Sequence, residues 1–359
     1  MTSLDALSRE RDRVIGRLPA DPLAPGGRIA LYGAGFVGAW AVRWLRQNGI
    51  EPVACFDGNP ERHGSVFLGT TVHASTDLPN LAPDLVFITA RHAIRPVEAI
   101  LEAHGAAGCS LDAYFAATNF DSFLHIHDHL LADPRSKDTL RGVLMAMLTG
   151  DCRHLESIWE RDQYFCLPRF AGSEKETYVD AGAYVGDSIE RFIWANAGVF
   201  TKIHGFEPAD RQFAALKTRV ERLAAEWAFD ADAIELNNLG LSDAPARMAS
   251  ASASGQLQSM ALAQSDSGNT ATGTLDTHLA GAKVTFIKAD VEGMELALLK
   301  GAAATISRFK PKLAVCVYHY PSDLLEITAF IRDLVPEYRF ALRHHSPQLM
   351  ETVLYGWVE

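Results

Sequence analysis

Twice in this chain a short apolar run leads into a glycine-bearing turn and then into a stretch with helical apolar spacing. The first copy reads Arg28-Ile-Ala-Leu-Tyr-Gly-Ala-Gly-Phe-Val-Gly38, and the second Tyr178-Val-Asp-Ala-Gly-Ala-Tyr-Val-Gly-Asp-Ser188. Strand, glycine turn and helix in that order open a βαβ unit, and repeated units build a parallel sheet with right-handed crossovers. In both copies a second apolar run follows and ends in an acid: Pro52–Phe56 before Asp57, and Lys202–Phe206 before Glu207. The fold expected is therefore α/β, with two Rossmann-like doubly wound domains.

The boundaries follow from the pattern. Residues 1–24 read as an N-terminal helix, 25–117 as the first Rossmann-like domain, 118–175 as a helical connector and 176–359 as the second domain. In the connector, Asp138–Leu148 carries apolar residues at spacings of three and four, the mark of an amphipathic helix. Strands of the second domain are predicted at Tyr178–Asp180, Ile203–Phe206, Ile234–Leu236, Thr285–Lys288 and Leu313–Val317, with Tyr338–Leu342 and Thr352–Val358 as a closing antiparallel pair. The Ala-, Ser-, Gly- and Gln-rich stretch Ala244–Thr274 is expected to be a mobile loop or short hairpins over the site.

A formal charge of −11 argues against a nucleic-acid backbone as substrate, since phosphate binding favours a basic face. The five cysteines, Cys55, Cys109, Cys152, Cys166 and Cys316, lack the close spacing of a zinc knuckle or redox pair. They are expected to be reduced thiols in a cytoplasmic protein. No run has the length of an integral membrane segment. A homo-oligomer is compatible with this composition.

Five groups of residues are candidates for chemistry. The turn Asp180/Gly182/Gly186 with Glu207 suits a nucleotide or S-adenosylmethionine: glycines allow close approach, amides ahead of Asp187 and Ser188 face a carboxylate, and Glu207 only accepts hydrogen bonds, as ribose hydroxyls require. A ligand-free turn is the alternative. Asp290 and Glu292, after the fourth strand, are placed to orient an acceptor hydroxyl, take its proton or hold a divalent cation; capping a helix that ends at Gly301 is compatible with either. His319, after the fifth strand, is a candidate general base or a structural imidazole. His125-Ile-His-Asp-His129 reads as a solvated or interdomain cluster. Gly33, Gly35, Gly38 and Asp57 form a second possible nucleotide site, for NAD or a nucleotide sugar, or only a packing turn.

In order, Asp180–Ser188, Gly205-Phe-Glu-Pro208, Leu241-Ser-Asp243, Thr274-Leu-Asp276 and Lys288-Ala-Asp-Val-Glu-Gly293 with Glu295 resemble the FkbM family of S-adenosylmethionine-dependent methyltransferases. The resemblance covers about residues 176–320 and implies a class I methyltransferase fold. It also implies O-methylation of a sugar, glycan or secondary-metabolite hydroxyl, with a small-molecule or glycan acceptor. The cofactor set it carries is Asp180, Gly182, Ala183, Tyr184, Gly186, Asp187, Ser188, Glu207, Pro208 and Asn238; Asp290, Glu292 and His319 are the catalytic candidates. Around Phe56-Asp-Gly-Asn-Pro60 the first domain is similar to Rossmann-like halves of sugar-modifying enzymes. Two further readings stay open: an NAD-dependent oxidoreductase or epimerase working through the N-terminal domain, and a non-catalytic tandem ligand-binding protein.

Overall fold

The structure, a computed structural model, describes residues 2–24, 26–230, 232–250, 262–264 and 270–359. The first sheet contains β1 (Ile29–Tyr32), β2 (Ala54–Phe56), β3 (Val66–Phe67), β4 (Thr70–His73), β5 (Leu85–Ile88) and β6 (Gly108–Ser110), in the order β3-β4-β2-β1-β5-β6. All its neighbours run parallel except β3 against β4. β1 and β5 are buried at every position, as expected of strands covered by helices on both faces. The edge pair β3–β4 and the short β6 escaped sequence reading, because two to four residues carry little periodicity.

The second sheet contains β7 (Thr177–Ala181), β8 (Lys202–Phe206) and β9 (Ile234–Asn237). After a small separate sheet of β10 (Gly240–Leu241), β11 (Ala246–Ser250), β12 (Leu262–Gln264) and β13 (Thr270–Gly273), it continues with β14 (Phe286–Ala289), β15 (Lys312–Cys316), β16 (Arg339–His344) and β17 (Thr352–Trp357). Its order is β16-β17-β15-β14-β7-β8-β9, with only β17 antiparallel to its neighbours. The chain builds outward from β7 and returns on its other side at β14. That switch point opens a crevice at the carboxyl ends of the strands. Every strand predicted for this domain is present, with ends differing by one or two residues. Of the expected loop 244–274, β11 to β13 form short antiparallel strands; its reading as a mobile cover falls on 251–261 and 265–269, outside the described residues.

The expected connector is built into the second domain. The predicted amphipathic helix runs Pro134–Thr149 and packs on β16, where Ser136 Oγ accepts from Leu342 N–H (2.9 Å) and the Arg343 guanidinium (2.7 Å). One apolar core joins Leu7 and Val14 of the N-terminal helix, Phe120, Leu140 and Leu144 of residues 118–175, and Val179, Ile287 and Phe340 of the sheet. On the opposite face Tyr164, Phe165 and Phe170 pack with Tyr178, Phe192 and Phe286. Residues 118–175 thus cover both faces of the second sheet rather than spanning a gap. The helical spacing was legible, but which surface the helix covers is a tertiary matter.

The two domains meet at several points, among them Arg95, which donates to Asp151 (3.2 Å). Arg91, after β5, donates two hydrogen bonds to Asp112 (2.9 and 2.6 Å) and one to the carbonyl of Tyr318 (2.5 Å), after β15. Phe36 and Trp40 of the first domain stack on Tyr320, with ring centres 5.2 and 5.3 Å apart.

Candidate active site

Both parallel sheets turn the carboxyl ends of their strands toward a single cleft of about 920 Å³. From the second domain it is lined by Gly182 after β7, Glu207 and Pro208 after β8, Asp290 and Glu292 after β14, and Tyr318 and His319 after β15. From the first domain come Phe36, Val37, Arg91, His92 and Ile94–Pro96. A cleft of this size lies within the range of small-molecule sites.

The glycine turn is more tightly determined than sequence suggests. Gly182 has φ +77°, and a Cβ there would overlap the carbonyl oxygen of Asp290. Gly186 has φ +85°, and its Cβ would press on Leu216. Gly182 is thus required by the chain's own crossing of the loops after β7 and β14, and Gly186 by the helix Asp210–Trp227, before any ligand is considered. The helix after the turn runs Asp187–Ala195, and Tyr184 ahead of it stands at φ +49°.

Of the ten expected cofactor residues, Gly182, Tyr184, Glu207 and Pro208 line the cleft. Asp180 does not: it is fully buried beneath the turn, where it pairs with Lys288 Nζ (3.0 Å) and accepts from Ser188 Oγ (2.6 Å). Lys288 in turn donates to the carbonyl of Gly182 (2.7 Å). This Asp180–Lys288–Ser188 network braces the turn from behind, and neither Asp180 nor Ser188 is part of the cleft lining. Ala183 is buried, Gly186 and Asp187 lie outside the cleft lining, and Asn238 donates to the backbone carbonyls of Glu207 (3.1 Å) and Pro208 (3.3 Å).

Glu207 is 7% exposed. One carboxylate oxygen accepts from Tyr184 N–H and the other from Ala209 N–H, both at 2.9 Å. Each oxygen keeps a second acceptor position for a hydroxyl. Burial pushes its carboxyl above the usual range.

The floor of the cleft is a cluster of acids around one imidazole. His319, 4% exposed, places Nδ1 3.1 Å from Glu295 and Nε2 3.7 Å from both Asp290 and Glu292. Burial works against its charge, but Glu295 and then Asp290 and Glu292 outweigh it and push the ring up to about 10. The three carboxylates around the ring thus favour its protonated form. Glu292 is different: burial, with help from Asp290 and Glu295, pushes it up to about 7. Its backbone stands at φ +55°, unusual for a non-glycine residue. Asp290 is opposed by burial but held below its ordinary value by Lys288 and His319, and it accepts from Tyr164 Oη (2.8 Å).

Helix capping is not the role of Asp290, since the following helix begins only at Glu295, whose carboxylate accepts from Val291 N–H (2.8 Å). That helix does end at Gly301, as expected, and a Cβ there would overlap the carbonyl of Ser242. Sequence reasoning quoted Lys288 and Glu295 within the motif but gave them no role, and it missed Tyr164 and Glu351. A lysine inside an apolar strand was the available signal for Lys288. Tyr164 lay in the supposed connector and offered none.

The second possible nucleotide site is closed on itself. Asp57 accepts from Ala34 N–H and Asn59 N–H, both at 2.8 Å, and from Arg62 Nη1 (3.3 Å), which also donates to the Ala34 carbonyl (2.6 Å). Gly38 leaves room for the carbonyl of Gly33, and Thr89 Oγ1 donates to that same carbonyl (2.8 Å). None of Gly33, Gly35, Gly38 and Asp57 lines the shared cleft, although Phe36 and Val37 beside them do. In the His125–His129 cluster, His127 is engaged by Asp128 (2.6 Å) and Arg141 (3.1 Å). Among the described residues no helix is long and apolar enough to cross a membrane.

Residues 180–342 match the family model described as the Methyltransferase FkbM domain. Among solved structures, the chain is similar to the crystal structure of methyltransferase FkbM from Methylobacillus flagellatus KT, at 24% identity, a TM-score of 0.62 and 98% coverage of both chains. That likeness shows a common fold along nearly the whole chain. A shorter overlap, 53% of this chain and 90% of the other at 14% identity and a TM-score of 0.34, is found with an rRNA methylase from Streptococcus thermophilus. A UDP-D-quinovosamine 4-dehydrogenase from Vibrio fischeri overlaps 26% of this chain and 87% of its own at 20% identity and a TM-score of 0.22. No curated protein matches the chain. The family match supports a methyltransferase activity.

Proposed function

We propose that this chain, whose residues 180–342 carry the FkbM methyltransferase domain, is an S-adenosylmethionine-dependent O-methyltransferase acting on a hydroxyl of a sugar, glycan or secondary metabolite. The observation that carries the reading is that Glu207 and the Asp290/Glu292 pair open into one cleft from neighbouring strand ends on either side of β7. The residues present fit the cofactor. The braced turn at Gly182 offers backbone without side chain, and Glu207 is a pure acceptor with lone pairs to spare for two hydroxyls. When bound there, S-adenosylmethionine supplies an electrophilic methyl group.

The chain's own residues would do the rest. Asp290, Glu292 and Glu351 present acceptors to the cleft, which suits a ligand rich in hydroxyl donors. Glu292, with its carboxyl near 7, takes the proton of the acceptor hydroxyl. Asp290, kept ionised by Lys288 and fixed by Tyr164, orients that hydroxyl, while protonated His319 balances the charge that appears on Glu292. Phe36, Val37 and Ile94 of the first domain wall the cleft and exclude water, and much of the rate advantage lies in such positioning. The first domain is on this reading the acceptor-side wall, with no NAD of its own.

Calorimetric titration with S-adenosylmethionine, S-adenosylhomocysteine and NAD tests the proposal. Micromolar binding of both adenosyl ligands is expected, weakened at least tenfold in Glu207→Ala, with no heat from NAD. Binding of NAD alone, or adenosyl binding indifferent to Glu207→Ala, would overturn it.

A further inference from the structure

Away from the cleft, His204 on β8, Glu235 on β9 and His278 on the helix Leu275–Leu279 converge, each offering one donor atom within 4.8 Å of the others. His278 Nε2 lies 3.3 Å from Glu235 Oε1, and His204 Nδ1 lies 3.6 Å from Glu235 Oε2. Donors bound at zinc's usual distance of about 2.0–2.1 Å in a tetrahedron sit roughly 3.4 Å apart, so these spacings need little adjustment. His204 is 9% exposed and its Nδ1 has no hydrogen-bond partner, leaving a buried lone pair or proton aimed at the cluster. Such a group is costly unless something engages it. Glu235, at 44% side-chain exposure, leaves one side of the cluster open to solvent.

We infer that His204, Glu235 and His278 form a binding site for a divalent transition ion, with zinc the best fit to two imidazoles and a carboxylate. Solvent supplies the fourth ligand. Lys202 Nζ stands 3.7 Å from Glu235 Oε2 and is the cation the ion would have to displace. The ion would clamp the helix Leu275–Leu279 to the sheet. The His278 ring packs edge-on against Phe206, with centres 4.8 Å apart, and the Phe206 carbonyl accepts both Gly182 N–H and Ala183 N–H at the cleft. The site is thus a structural clamp one residue removed from the cofactor turn, and it stands whether or not the methyltransferase reading holds.

Cobalt(II) is the probe, titrated into chelator-treated full-length protein and followed by its visible absorption. Wild-type protein is expected to bind one equivalent with the intense bands of a four-coordinate nitrogen and oxygen site. Zinc should displace it and raise the melting temperature by a few degrees. His278→Ala and Glu235→Gln are expected to lose affinity on the order of tenfold or more. Lys202→Ala should bind more tightly, because a positive charge beside the ligand carboxylate is gone. Absence of stoichiometric cobalt binding, or binding unchanged in His278→Ala, would overturn the inference. Binding that survives in His278→Ala but is lost in His319→Ala would place the metal on the cleft floor instead.

Discussion

Glu292 concentrates the chemistry and the strain of the site in one residue. Its left-handed backbone costs roughly 1–2 kcal/mol relative to an ordinary conformation. Glu292→Gly is accordingly expected to leave the melting temperature unchanged or raised while methyl transfer falls on the order of 10²-fold or more; Glu292→Gln should show the same loss without the gain. A pH profile separates its role from that of His319. The proposed base works when unprotonated, so kcat/KM should rise through about pH 7 and hold until His319 loses its proton near 10. A profile already flat at pH 5 would assign the proton to another group. Asp323 bears on stability instead. Burial, then Glu295, pushes its carboxyl up to about 8 from an ordinary 3.8. The folded state therefore binds the proton more tightly, and stability falls as pH rises across that window. Asp323→Asn, which can still accept from Tyr320 N–H, should flatten the decline in melting temperature between about pH 4 and 8.

Among elements, the crossing of the loops after β7 and β14 decides the geometry of the cleft. Gly182 leaves the space that the Asp290 carbonyl occupies, while Lys288 on β14 ties Asp180 to the Gly182 carbonyl. Gly182→Ala combines a backbone clash with an unfavourable φ and is expected to destabilise by roughly 2–5 kcal/mol, measured by chemical denaturation. A cost below about 1 kcal/mol would mean that the two loops do not cross as closely as described. This crossing also shows the reach of sequence reading. The motif residues Asp180, Gly182 and Lys288 stood out by pattern, but pattern assigned Asp180 to a ligand. Only the register of β7 against β14, which sets Asp180 opposite Lys288, turns its carboxylate away from the cleft.

At the scale of the whole molecule, the N-terminal helix, residues 118–175 and the second sheet share one apolar core, and Arg91 fastens the first domain to it. Arg91→Ala would leave Asp112, 2% exposed, without its partner and is expected to cost about 3–5 kcal/mol. The same variant should make the first domain cleave earlier in limited proteolysis, since the contact to Tyr318 is lost as well. Proteolysis indistinguishable from wild type would show that the stacking of Phe36 and Trp40 on Tyr320 holds the domains without it.

Local pattern by itself determined the two α/β sheets, nearly every strand of the second, and the acids that stand at strand ends. Those are properties of period, turn chemistry and chain order, which short-range sterics and burial dictate. The tertiary structure decided the rest. Whether a carboxylate meets solvent, a lysine or a backbone amide depends on neighbours far away in sequence. Asp57 is closed by Arg62 and the turn it follows, Asp180 by Lys288, and His319 is kept charged by Glu295, while Glu207 and Glu292 remain open to the cleft. Tyr164 and Arg91 reach the site from segments with no motif, because packing brings them there.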